Sequence, residues 1–248
     1  MRFGELNTLV EGIPRAVGGF RPDLVAGGGR GVRVAVIDSG WGARVADERI
    51  EPEIDLMPRT RHTHESAKRE LPDPHGAHCI RLILAVAPSV QILPIRILDA
   101  SLRTDARTLF AGLEAAADAA VDIVNLSLTV DDPTALAHLT MACQTFERRG
   151  MLVVAAAANG IGSSIPAVFP SVLGVRATVT DSPFQFFASP HEDIQCAAHG
   201  CVNGRMRNSY ATATVSGLAA LVCGAFDQDP SALRATLYSF ASCRVRDE

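Results

Sequence analysis

The chain has 248 residues, of which 48% are hydrophobic and 20% are charged. This length can bury one large core, so we expect a single domain. The formal net charge of −4 is small and the arginines are scattered, so neither nucleic acid nor an anionic membrane surface is predicted as a partner.

The N-terminal segment and the cysteines bear on the compartment. Residues 1–19 lack the basic start and apolar stretch of an export signal, and no apolar run reaches the roughly 18 residues that span a bilayer. We therefore expect a cytoplasmic protein. Its six cysteines are then expected to be thiols, because the cytosol is reducing. No CxxC pair occurs in the sequence, so a zinc knuckle is not supported.

Residues 1–30 form an irregular N-terminal extension that ends in a glycine-rich run, and the domain proper is expected over 31–248. The glycines of this run precede the first predicted strand. A nucleotide-binding loop needs its glycines after a strand and before a helix, so that interpretation is excluded.

Short β-branched runs alternate with longer helical patterns along the rest of the chain. Strands are predicted over 32–37, 90–98, 121–128, 151–158, 172–178 and 194–198, and helices over 78–86, 104–120, 133–149, 209–225 and 230–241. Continuous apolar strands between helices are typical of a parallel sheet that is covered on both faces. The fold class is therefore α/β: a single-domain, three-layer structure with a mostly parallel sheet flanked by helices.

The polar segment 50–74 is predicted to be a surface loop. It holds His62, His64 and Glu65, but two histidines two residues apart in a loop, with no third ligand fixed by spacing, are more typical of solvated side chains. We assign no metal and no cofactor.

Three polar residues fall where an open parallel sheet places its functional sites, at strand carboxyl ends and helix starts. Asp38 follows the first strand, His75 opens a helix, and Ser209 opens the long helix. Each alone could be a cap or a turn residue. Together they occur in the order Asp, His, Ser, which is one of the known orders of a catalytic triad.

Seven blocks occur along the chain in this order: VAVIDSG, HGAHC, VNLSL, VVAAAANG, FPSVLGVRAT, IQCAAHG and NSYATATVSG. In these blocks and their order, the sequence resembles the subtilisin-like serine proteases through most of 31–225. It implies the subtilisin-like fold, a serine peptidase activity and an extended peptide or protein as substrate.

The resemblance also implies the roles of individual residues. Ser209 would be the nucleophile, His75 the general base and Asp38 the residue that orients the imidazole. Asn159 would donate its side-chain amide to the oxyanion, together with the backbone N–H of Ser209. Substrate would lie as a strand against the segment Ser127, Leu128 and Thr129.

The sequence departs from the family's pattern near the nucleophile and in two loops. The family's glycine and threonine before the serine are Arg207 and Asn208, its following proline and histidine are Ala213 and Thr214, and Ala158 replaces a glycine. The helix after His75 continues without the loop that holds calcium in secreted members. With about thirty residues before the first strand, we expect no removable pro-segment.

These observations lead to one main functional hypothesis and two alternatives. The main one is a serine endopeptidase that works through an acyl-enzyme, and it includes the trimming of one dedicated peptide precursor. A ligase or macrocyclase on the same triad is the first alternative, since Ala213 in place of proline could shift the nucleophile helix and admit an amine. The second is a catalytically silent module that binds extended peptides.

Overall fold

The structure is a computed structural model that describes residues 27–42, 46–58, 74–160, 162–226, 230–241 and 243–244. The candidate metal ligands His62, His64 and Glu65 lie outside the described residues, and the expected domain boundary after residue 30 stays a prediction.

A central sheet of nine strands forms the middle layer. Its strands are β1 (Arg33–Asp38), β2 (Ile54–Asp55), β3 (Gln91–Arg96), β4 (Ile123–Leu126), β5 (Leu152–Ala156), β6 (Val172–Thr178), β7 (Phe186–Ala188), β8 (Cys196–His199) and β11 (Cys243–Arg244). They lie in the order β11-β7-β8-β6-β5-β4-β1-β3-β2. Every pairing is parallel except that of β7 with β8. The short strands β9 (Cys201–Val202) and β10 (Arg205–Met206) form a separate antiparallel pair.

Within the described residues, five helices cover the two faces of the sheet. They are α1 (His75–Val86), α2 (Ala106–Asp118), α3 (Leu136–Arg148), α4 (Asn208–Phe226) and α5 (Pro230–Ser239). Helices α1, α4 and α5 pack in one apolar core, and α2 and α3 pack in a second core on the opposite face. The three-layer α/β architecture expected from the sequence is confirmed.

Alternating side chains of β1 explain why its sequence is continuously apolar. Val34 and Val36 lie in the core beneath α1 and α4, whereas Ala35 and Ile37 lie in the core beneath α2 and α3. Because successive residues of a strand point to opposite faces, a strand covered on both sides needs apolar residues throughout.

Local capping fixes two helix starts and explains one difference from the predicted bounds. Asp105 accepts a hydrogen bond from the Thr108 N–H at 2.7 Å and so caps α2. Before α3, Asp132 accepts from the Thr134 N–H at 2.9 Å and Pro133 opens a single 3₁₀ turn, Pro133–Ala135. The helix predicted from 133 therefore becomes α-helical only at Leu136.

The strands β2, β7, β9, β10 and β11, of two or three residues each, were missed because they are too short to show an apolar period.

Helix α4 is the most buried helix of the fold. Fifteen of its residues are buried, from Ser209 to Cys223. By length and composition it is apolar enough to cross a membrane, which differs from the expectation that no segment reaches this limit. However, 83% of the qualifying window is packed inside the protein, and the core helices of globular proteins pass the same test.

The contact between α1 and α4 depends on Gly217. A Cβ placed there would lie 2.8 Å from Val86 Cβ and 3.2 Å from the Ile83 carbonyl oxygen. Neither atom can turn away, because the first is fixed to the backbone and the second belongs to it.

We predict that Gly217→Ala destabilises the protein. Overpacking a tight core contact costs about 1–3 kcal/mol, and this outweighs the gain in helix propensity of about 0.5–1 kcal/mol. The control is Gly27→Ala, where an added Cβ meets no atom within 4 Å. The free energy of unfolding should be measured by urea denaturation of both variants. A Gly217→Ala protein as stable as Gly27→Ala would contradict the close approach of the two helices.

Candidate active site

The sheet and two helices bring three sequence-predicted residues together. Asp38 is the last residue of β1, His75 is the first residue of α1, and Ser209 is the second residue of α4. Helices α1 and α4 lie side by side over the sheet, so their N-terminal ends meet above the carboxyl end of β1.

The Asp38 carboxylate is fully buried and hydrogen-bonded. Its Oδ1 accepts from the Ser39 N–H at 2.6 Å and from the Ser39 hydroxyl at 3.1 Å. Both carboxylate oxygens also face Nδ1 of His75, at 3.0 and 2.9 Å. The Ser39 hydroxyl accepts in turn from the Gly76 N–H at 3.0 Å, which ties the loop after β1 to the start of α1.

His75 links the carboxylate to the serine. Its Nε2 lies 2.9 Å from Ser209 Oγ. Since Nδ1 faces a carboxylate, the proton of a neutral ring is held on Nδ1, and Nε2 is left as an acceptor for the serine hydroxyl. The ring of Tyr210 stacks on the imidazole, with centroids 5.9 Å apart and an interplanar angle of 18°.

The surroundings of His75 raise its pKa above the ordinary value of 6.5. Burial is the largest effect and by itself lowers the pKa, but the hydrogen bond to Asp38, the contacts with the Cys79 sulfur and the charge of Asp38 together outweigh it. Burial in turn raises the pKa of the Cys79 thiol.

The start of α4 offers one backbone donor. The N–H of Asn208 donates to Asn159 Oδ1 at 3.1 Å, and the N–H groups of Tyr210 and Ala211 both donate to the Arg207 carbonyl. Across the described part of the chain, the Ser209 N–H has no acceptor. It therefore lies in the first turn of the helix as a donor for a ligand, beside the serine hydroxyl.

Asn159 lies on the segment after β5 and is exposed to solvent. The contact from the Asn208 N–H brings it to the first turn of α4, the turn that carries Ser209. The backbone next to it is fixed as well, because the Ala158 N–H donates to the Ser164 hydroxyl at 3.0 Å.

The three predicted substrate-binding residues directly follow β4. Their peptide groups and the Ser127 side chain make different contacts. No backbone hydrogen bond is formed by 127–129 with any described residue, whereas the next residue, Val130, donates to the Ile165 carbonyl at 2.9 Å. The hydroxyl of Ser127 points inward and donates to the Ser209 carbonyl at 3.3 Å. Among the described residues, the peptide groups of this segment thus have no backbone partner, while the Ser127 side chain contacts the first turn of α4.

The polar groups that lie beneath Ser209 were not predicted from the sequence. Asn125 is fully buried in β4 and donates to the Ser127 hydroxyl at 3.1 Å, and it accepts from the Ser216 hydroxyl at 3.0 Å. A fully polar side chain inside the apolar run VDIVNLSL was the signal that could have revealed this contact.

Cys79 is a second residue whose contacts were not predicted from the sequence. Its sulfur lies 4.0 Å from Asp38 Oδ2 and from His75 Nδ1, and 3.5 Å from the Ser127 hydroxyl. The sulfur, a carboxylate oxygen and a ring nitrogen all lie within 4.8 Å of one another, a spacing that a metal ion could bridge. The two nitrogens of His75 are already engaged with the carboxylate and the serine.

Three other cysteines, Cys143, Cys196 and Cys201, are also free thiols. Burial raises the pKa of Cys143 and of Cys196 to about 12, so both are unreactive near neutral pH.

Ala213, the residue that replaces the family's proline, is fully buried within α4, and the helix continues unbroken from Asn208 to Phe226. The serine hydroxyl keeps its contact with His75 in the presence of this alanine.

Comparison with known proteins agrees with the α/β fold and with the contacts among Asp38, His75 and Ser209. The model of the subtilase family matches residues 29–244, so the chain belongs to this family. A cold-adapted subtilisin-like serine proteinase has the same fold, with a TM-score of 0.69 over 95% of this chain and 91% of that one, at 24% identity.

Curated relatives are bacterial proteases of moderate similarity. The chain is 28% identical to the M-protease of Shouchella clausii over 242 residues, which cover 88% of this chain and 61% of that protein. It is 31% identical to Subtilisin Savinase of Lederbergia lenta over 215 residues, which cover 78% of this chain and 77% of that protein. The chain thus spans less than two thirds of the first relative's length.

We predict that the His75 imidazole titrates above 6.5, and that Asp38→Asn lowers its pKa below that value because burial then acts without the opposing charge. The ¹⁵N shifts of the ring against pH measure both midpoints. Since the folded-state pKa is raised, the ion pair stabilises the fold fully below the unfolded-state value, and this contribution is lost as pH rises through the folded-state pKa.

The control for this titration is Asp55→Asn, which removes an exposed carboxylate paired with Arg96 at 3.2 Å. It should leave the His75 midpoint unchanged. An equal shift in both variants would show that general charge, and not the contact with Asp38, sets the pKa.

Proposed function

We propose that the chain is a serine endopeptidase that hydrolyses peptide bonds through an acyl-enzyme on Ser209. The observation that carries this proposal is the continuous line of contacts from the buried Asp38 carboxylate through His75 to the Ser209 hydroxyl, at 2.9 Å each. Membership of the subtilase family supports the same activity.

In the first half of the reaction, Ser209 Oγ attacks the scissile carbonyl carbon while its proton passes to His75 Nε2. The new C–O bond turns the carbonyl into a tetrahedral oxyanion. The Asp38 carboxylate then faces an imidazolium and stabilises it, which is the charge arrangement that the raised pKa of His75 reflects. When the C–N bond breaks, the same proton moves from Nε2 to the leaving amine.

The oxyanion would be bound by two donors. One is the Ser209 N–H, which has no acceptor in the described residues and lies at the positive end of α4. The other is the Asn159 side-chain amide, held beside the same helix turn. Water then attacks the acyl-enzyme, with His75 as base, and the acid product leaves from Ser209.

Substrate is expected to add as an extended strand to 127–129, the segment with unpaired peptide groups. Main-chain hydrogen bonds would give affinity for any extended peptide, and side-chain pockets would give selectivity. The first turn of α4 lies close to this segment, because the Ser127 hydroxyl contacts the Ser209 carbonyl. A bound strand would therefore pass next to the nucleophile.

We also propose that the protein works in a reducing compartment, as expected for a cytoplasmic enzyme. The free thiols of Cys79, Cys143, Cys196 and Cys201 support this proposal. Alkylation of the unfolded native protein, followed by mass spectrometry, tests it: recovery of a disulfide would contradict the proposal.

We predict that Ser209→Ala and His75→Ala each lower kcat by roughly 10⁴–10⁶, and that the double variant loses little more because the two residues act as a unit. Asn159→Ala should cost roughly 10²–10³, since one backbone donor remains for the oxyanion. Steady-state cleavage of a peptide library by each variant measures these losses.

A fluorophosphonate probe provides the control, because it reacts only with an activated serine. It should label the wild type at Ser209, label Ser101→Ala equally, and fail on both triad variants. A folded protein that binds extended peptides but takes no label would be the silent binding module. Adding a nucleophile peptide to an acyl donor distinguishes the ligase from the peptidase. A ligase would give the ligated peptide as product, whereas a peptidase would give the free acid.

A further inference from the structure

Asn208, the residue directly before Ser209, bridges the start of α4 to the segment after β5 and to strand β6. Its Nδ2 donates to the carbonyls of Ala157 and Ala158, at 3.0 and 2.9 Å. Its Oδ1 accepts from the Ala177 N–H on β6 at 2.8 Å. The two donors of the side chain thus hold the backbone that leads to Asn159, and the acceptor ties the same side chain to β6.

The backbone of Asn208 acts on the Asn159 side chain itself. Its N–H donates to Asn159 Oδ1 at 3.1 Å. An amide whose oxygen is held in this way must present its NH₂ group on the opposite side, so it meets an oxyanion as a donor. The orientation matters because a flipped amide would place its oxygen against the negative charge.

The residue type is specific to these contacts. A carboxamide supplies two N–H donors and an acceptor at the end of one short side chain, whereas the threonine that the resemblance leads us to expect here supplies one hydroxyl. Aspartate would place a charged acceptor against two carbonyl oxygens. Of these three side chains, only asparagine can make all three contacts.

We infer that Asn208 is a positioning residue of the oxyanion hole, which fixes both the backbone before Asn159 and the direction of the Asn159 amide. This inference rests on the proposed peptidase function. It assigns a role to Asn208, which is one of the departures from the family's pattern. It also means that the conformation of the 157–159 segment depends on a side chain outside the triad.

The first experiment compares kinetics of Asn208→Ala in two backgrounds. In the wild type, kcat should fall roughly tenfold or more, yet by less than the roughly 10²–10³ that the loss of Asn159 costs, with little change in KM. In Asn159→Ala, the same substitution should lower kcat by less than about threefold, because the amide that it positions is already gone. Asn208→Thr should recover part of kcat, since a hydroxyl restores one donor.

The matched control is Thr212→Val. It removes a hydrogen bond of similar length from the same helix turn, Thr212 Oγ1 to the Asn208 carbonyl at 2.8 Å, but leaves 157–159 untouched. Its kcat should stay close to that of the wild type. An equal loss of kcat from Asn208→Ala in both backgrounds, or a rise in KM alone, would overturn the positioning role.

A second experiment does not need an active enzyme. The side-chain ¹⁵NH₂ signal of Asn159, identified by its loss in Asn159→Ala, should show restricted motion in the wild type and in Thr212→Val, and greater motion in folded Asn208→Ala or Asn208→Thr. An equally restricted amide in the Asn208 variants would overturn the inference. If the wild type takes no fluorophosphonate label, the proposed peptidase function fails, and this measurement still decides whether Asn208 orients Asn159.

Discussion

The burial of one ionised group constrains the whole site. Asp38 has no exposed surface, so its carboxylate must find hydrogen-bond donors inside the protein or lose its charge. Ser39 and His75 supply them. This requirement draws the start of α1 against the end of β1. The approach is close enough that a Cβ on Gly76 would lie 2.7 Å from the Gly40 carbonyl oxygen and 3.1 Å from Asp38 Cβ.

A second set of buried polar groups holds the nucleophile helix from the other side. Asn125 on the sheet contacts Ser216 on α4 and Ser127 on the strand end, and Ser127 contacts the Ser209 carbonyl. Each of these groups would be costly if unpaired, so the helix has one favoured position relative to β4. Asp38 holds His75 in place, and Asn125 holds the helix that carries Ser209. Together these contacts place His75 Nε2 2.9 Å from Ser209 Oγ.

The sequence was sufficient to predict the α/β fold and the positions of its long strands along the chain, because strands covered on both faces must be continuously apolar. The meeting of Asp38, His75 and Ser209 followed from their places at strand and helix ends. The partners of Asn208 could not be predicted, since they are backbone groups far away in the chain and leave no mark on side-chain patterns. The contacts of Cys79 with Asp38 and His75 could not be predicted, because a buried cysteine gives the same apolar sequence pattern with or without them.

The burial of α4 has a consequence for how activity responds to heat. Most of this helix is enclosed between α1 and the sheet, so its first turn cannot fray without opening the core. Regions of this kind exchange their amide protons through global unfolding, in contrast to surface loops. The chemical part of the site thus belongs to the most cooperative unit of the fold, and heating should abolish catalysis and tertiary structure in a single transition.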